Sequence, residues 1–148
     1  MNVTMNENKV LPVVRDGELT HGTLEAHKLP ESRSFYEEVL QLRCVQHGPV
    51  SQMVAGSAEF AMACVNAGNR LSPQGDENRW VLSVANAETV NAIREAALAS
   101  NFTQHVGDLS EKDGISSFIV QDADSNWWEV TNLPATYYQS FFEKGDVA

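Results

Sequence analysis

The chain has 148 residues, 43% of them hydrophobic and 20% charged, and a net charge of −10. That is about one globular domain, and its acidity excludes nucleic-acid or anionic-membrane partners, which need a basic footprint. Two cysteines, Cys44 and Cys64, make no disulfide framework, and neither a secretion signal nor an apolar membrane span is present, so a cytoplasmic protein is expected.

Residues 1–17 are polar and poorly patterned and read as an N-terminal arm. A first module, residues 18–66, opens with a strand over Leu19–His27. Alternation places His21, Thr23, Glu25 and His27 on one face and Gly22, Leu24 and Ala26 on the other. The first set is too polar for a core and suits a wet cavity. Leu29-Pro30 starts a helix with Glu31 near its N-terminus, and Phe35, Val39 and Leu40 recur at helical spacing as its buried stripe. Strands are predicted over Leu42–His47, Val50–Val54 and Phe60–Val65, with turns at Gly48-Pro49 and Ala55-Gly56-Ser57.

Residues 67–78 combine Gly, Pro, Asn and Asp and form a linker. A second module, residues 79–134, begins with Arg79, Val81 and Ser83 on one strand face and Trp80, Leu82 and Val84 on the other. Asn86 caps a helix whose buried face is Val90, Ile93 and Ala97. Strands follow over Phe102–Val106, Ser116–Val120 and Trp127–Asn132, separated by turns at Lys112-Asp113-Gly114 and Asp122–Asn126. In the last strand Trp127, Glu129 and Thr131 share a face. Residues 135–148 form a tail with clustered aromatics (Tyr137, Tyr138, Phe141, Phe142), able to cap the domain or a partner subunit.

His21–His47 and Arg79–His105 superpose without a gap at an offset of 58 residues, with Leu24/Leu82, Glu37/Glu95, Leu40/Leu98, Gln46/Gln104 and His47/His105 identical. Identity is sparse, but the element order also repeats, which makes the chain an internal duplication. The expected fold class is α+β: two βαβββ modules in tandem, each a curved mixed sheet with a covering helix, enclosing a U-shaped cavity.

The segments THGTLEAHKLPESRSFYEEVLQL, RWVLSVAN and DADSNWWEVTN, together with the doubled topology, resemble the vicinal oxygen chelate superfamily of glyoxalases, bleomycin-resistance proteins and extradiol dioxygenases. FFEKGD also resembles the tails of its single-domain dioxygenase-like members. The resemblance implies a homodimer, a small-molecule ligand, and a divalent metal, iron or manganese, held by His21, a second histidine and Glu129. The second histidine falls at Arg79, and a fourth-strand acid used by glyoxalase I falls near Met62. Arginine has no acceptor and stays protonated, and a thioether suits a hard ion poorly, so the metal is expected to be absent or weakly bound.

Arg79 is expected to pair with Glu129, and removing either partner alone to leave a buried charge at a cost of about 3–5 kcal/mol; Arg79 could instead grip an anionic substrate. His21, Arg79 and Glu129 are the candidates for chemistry. Thr23, Glu25, Met62, Val81, Ser83 and Trp127 are the candidate ligand-binding cavity. Two functions fit: a dioxygenase-like protein with an incomplete metal triad acting on a small aromatic or oxygenated molecule, and a metal-free resistance-type protein that sequesters its ligand without chemistry. His47 and His105 are read mainly as surface or packing residues, and Cys44 and Cys64 as buried free thiols.

Overall fold

The computed structural model describes residues 19–55 and 60–147. The N-terminal arm and the Gly56-Ser57 turn lie outside the described residues.

The first module consists of β1 (His21–Ala26), helix α1 (Leu29–Ser34), which continues into a π-helical turn (Phe35–Val39), then β2 (Arg43–Gly48), β3 (Ser51–Ala55) and β4 (Ala61–Asn66). The second has β5 (Arg79–Ser83), α2 (Ala87–Ala99), β6 (Thr103–Val106), β7 (Ser110–Lys112), β8 (Ile115–Asp122) and β9 (Trp127–Thr131). A 3-10 turn (Ala135–Tyr138) and α3 (Gln139–Lys144) end the chain. Strand order is β1-β4-β3-β2 in one sheet and β5-β9-β8-β6 in the other, with β7 paired to β8. In both sheets the opening strand lies at the edge, parallel to the module's last strand. β5 and α2 begin 58 residues after β1 and α1, the spacing of the sequence repeat.

Each helix forms where its apolar stripe meets its own sheet. Phe35, Val39 and Leu40 are buried as expected, as are Val90, Ile93 and Ala97, and the two sets join one core with Leu24, Val54, Cys64, Phe118, Val120 and Val130. Truncating Phe35 or Ile93 to alanine would cost about 2–5 kcal/mol by leaving a cavity. Asn86 caps α2 as read from sequence, its side-chain oxygen accepting from Thr89 N at 2.9 Å. The first helix ends differently: Leu40 N donates to Phe35 O, a wider π-type turn, and Gln41 reverses the chain at φ 60°. Asp113 and Gly114 both take positive φ, the pattern of a two-residue hairpin turn that follows strand twist.

A buried polar clamp fixes the modules against each other. Asp122 Oδ1 accepts from Asp124 N (2.8 Å) and Asn126 N (2.9 Å), closing the turn, while Oδ2 accepts from Asn126 Nδ2 (2.9 Å) and from the Tyr36 hydroxyl (2.5 Å) of the other module. Asp124 accepts from the Ser32 hydroxyl (2.5 Å) and from His27 N (2.8 Å), and Asn126 Nδ2 donates to Glu25 O (2.9 Å). The turn before β9 is thus bonded to the end of β1 and to α1. Burial pushes the Asp122 carboxyl up to about 6 in spite of these donors; burial and the Asp122 charge push the Tyr36 phenol well above its usual range. Among the described residues, no helix is long and apolar enough to cross a membrane.

Candidate functional site

Register decides which side chains share the face away from the helices. His21 lies opposite Ala61, Thr23 opposite Ala63 and Glu25 opposite Val65; Arg79 lies opposite Trp127 and Val81 opposite Glu129. His21, Thr23, Glu25, Arg79, Val81, Ser83, Trp127 and Glu129 therefore project from the outer face of their sheets, as alternation predicts. Met62 does not. It pairs with Gly22, faces the helix side and is buried, so the β4 positions beside His21 and Thr23 are Ala61 and Ala63. Met62, expected in the cavity beside His21 and Thr23, thus lies on the opposite face of β4, since side chains alternate along a strand.

Arg79 donates from Nε to Glu129 Oε1 at 2.9 Å and from Nη1 to the Asp76 carbonyl at 3.0 Å. The other carboxylate oxygen, Oε2, accepts from the Ser117 hydroxyl at 3.2 Å. The expected ion pair is present, but its side chains keep 34% and 23% of their exposure, so it is half-buried and the larger cost expected of a fully buried pair does not apply. His21 is exposed, with Nδ1 2.9 Å from Thr20 Oγ1.

The linker closes over this face at three points. Ser72 N donates to Glu25 Oε2 (2.6 Å), Trp127 Nε1 donates to Gln74 O (2.8 Å), and Asp76 O takes the Arg79 bond. Beneath it is a cavity of about 340 Å³ whose walls include Thr23, Glu25, Gln74, Asn78, Trp80 and Trp127. A second cavity of about 350 Å³ is mostly apolar, with Val54, Phe60, Met62, Trp80 and Trp128 in its walls, and includes Val81 and Ser83.

Trp80 lines both cavities. Its indole sits where Gly22 leaves room, since a Cβ there would lie 2.8 Å from the ring. The six predicted cavity residues are thus divided: Thr23, Glu25 and Trp127 on one side of Trp80, Met62, Val81 and Ser83 on the other. His21, Arg79 and Glu129 line neither cavity. Sequence reasoning missed Trp80, which alternation assigned to the core; it lies on an edge strand and remains 39% exposed.

The remaining candidates are peripheral. His47 Nε2 lies 3.1 Å from Ser51 Oγ at the surface, and His27 Nδ1 lies 3.0 Å from Gly68 O. His105 packs edge-on against Trp127, ring centroids 5.5 Å apart. Cys44 and Cys64 are buried and free, with burial pushing their thiols up to about 11 and about 12. The tail aromatics Tyr137, Tyr138 and Phe141 stack on one another and stay half exposed, Tyr138 bordering a hollow shared with Val81.

No family model and no curated protein matches the sequence. Solved structures do match. A fosfomycin resistance protein, FosX, from Mesorhizobium loti superposes with a TM-score of 0.67 at 13% identity over 85% of this chain and 99% of that one. The oxidase ChaP-H2 gives 0.65 at 16% over 80% and 95%. A glyoxalase/bleomycin resistance protein/dioxygenase from Alicyclobacillus acidocaldarius gives 0.58 at 16% over 80% and 93%. The chain has the vicinal oxygen chelate fold.

The vicinal oxygen chelate fold makes the metal question concrete, and here the donor set does not fit. Glu129 has one oxygen on a guanidinium and the other on a hydroxyl, and the position across from it is a permanent cation. Among the described residues, no group of three or more His, Cys, Asp or Glu side chains could hold an ion.

Proposed function

We propose that this chain acts on a small aromatic or oxygenated molecule held in the 340 Å³ cavity under the linker, in the manner of glyoxalase/bleomycin resistance/dioxygenase proteins, and that it does so without a resident divalent metal. The observation that carries the reading is the lining: two indoles, Trp80 and Trp127, beside Thr23, Glu25 and Asn78. Aromatic walls favour a flat ligand, and the hydroxyl, carboxylate and amide groups suit its oxygens and nitrogens. The candidates for chemistry, His21 and Arg79, line neither cavity, so proton transfer by the exposed His21 imidazole or charge stabilisation by Arg79 requires a ligand that extends from the cavity onto the outer sheet face.

One observation favours the second reading, a protein that sequesters its ligand unchanged. Arg79 and Glu129 satisfy each other, and neither lines the cavity. A single experiment addresses binding under both. Tryptophan fluorescence would be titrated with phenols, catechols and small aromatic ethers, with and without EDTA. Saturable quenching insensitive to EDTA and weakened by Trp127→Phe supports the proposal. Absence of a response across the panel, or a response abolished by EDTA, refutes it. Product analysis with His21→Ala as control then separates turnover from sequestration.

A further inference from the structure

Resting on the reading that the cavity under the linker is the ligand site, we infer that its ligand is an organic cation: an aromatic compound carrying a protonated amine or quaternary ammonium. The cavity brings Trp80, Trp127 and the Glu25 carboxylate together, and no Lys, Arg or His lines it. Its other polar side chains, Thr23, Ser72, Gln74, Asn78 and Asn126, all carry oxygens able to accept, and Leu24 completes the lining.

Glu25 makes no ion pair among the described residues; one oxygen, Oε2, takes the Ser72 N–H, and Oε1 has no donor there. Arg70 lines an adjoining hollow with Glu25 but forms no ion pair with it. An ammonium set against the indoles gains attraction from electron-rich rings, and Glu25 then supplies the counter-charge. The net charge of −10 adds a field that draws cations and repels carboxylates and phenolates. A divalent metal is not what this lining selects, because Glu25 is its one charged donor and, among the described residues, no three His, Cys, Asp or Glu side chains come together. The Arg79 guanidinium, which on sequence alone suggested an anionic substrate, is engaged with Glu129 and Asp76 and lies outside this cavity.

The test uses the full chain and three ligands of matched size: benzylammonium, benzyl alcohol and benzoate. Affinities would be measured by calorimetry, with the indole N–H resonances of Trp80 and Trp127 followed by NMR. Benzylammonium should bind about tenfold tighter than benzyl alcohol, and benzoate weakest of the three. Glu25→Gln keeps an acceptor for Ser72 N and so should leave the urea midpoint in place. It should cut benzylammonium affinity about tenfold and leave benzyl alcohol unchanged. Equal affinity for ammonium and alcohol, tighter binding of benzoate, or indifference to Glu25→Gln would overturn the inference while leaving the cavity as the site. Failure of all three ligands to bind would overturn both.

Discussion

Removing the Arg79 guanidinium tests the outer face of the sheet directly. Arg79→Met strips Glu129 Oε1 of its charged donor and leaves the carboxylate one hydrogen bond, from Ser117. The pair is single-pronged, through Nε alone, and its partners keep 34% and 23% exposure. It therefore ranks above an exposed pair, worth up to about 1 kcal/mol, and below a buried one, where losing a partner costs about 3–5 kcal/mol. A coupling energy of about 1–2 kcal/mol follows, with Glu129→Gln the milder single change because an amide oxygen still accepts. Urea unfolding of wild type, Arg79→Met, Glu129→Gln and the double variant closes the cycle. A coupling indistinguishable from zero would refute the reasoning, for the two groups would then be held by their backbones and not by each other.

Gly22→Ala should destabilise by about 1–3 kcal/mol, since its Cβ would press on Trp80 and Met62; urea midpoints show it, and an unchanged midpoint would mean that Trp80 does not fill that space. Asp122 binds its proton more tightly folded than unfolded. Its contribution is therefore complete below pH about 4 and is lost as pH rises through about 6, about 3 kcal/mol in all. Relative to Asp122→Asn, wild type should lose stability over that window in chemical denaturation, and parallel pH curves would contradict it. Cys44 and Cys64 should react with a disulfide reagent at pH 8 only after unfolding, in line with thiols pushed up to about 11 and 12. Val81 lies exposed on the edge strand β5, beside the half-exposed Tyr138. Two copies should therefore associate there, and light scattering should report a dimer that Val81→Lys converts to monomer.

The parts of the fold legible in the sequence were those set by local periodicity and local chemistry. The stripes on α1 and α2, the Asn86 cap and the hairpin at Asp113-Gly114 depend on neighbours a few residues apart, and the 58-residue repeat shows as the same local pattern occurring twice. The repeat misleads in one place: Leu40 is buried, whereas its counterpart Leu98 is exposed, because the second helix takes its core residues from Val90, Ile93 and Ala97. Tyr36, Asp122 and Asp124 were not recognised as a clamp, since their partners lie 86 and 92 residues away and no periodicity marks a buried polar bond between modules. The site was half legible. Alternation placed Thr23, Glu25 and Trp127 on the right face, but it could not show that Trp80, on an edge strand, would divide the hollow, nor that His21 and the Arg79–Glu129 pair would lie outside both parts.

The proposed absence of a resident divalent metal, which rests on the Arg79–Glu129 pair, is tested directly by the metal content of the protein. Protein produced with iron and manganese supplied in the medium, and purified without chelator, would be assayed for bound metal by elemental analysis. The account predicts far less than one ion per chain for wild type; about one tightly held iron or manganese per chain would contradict it.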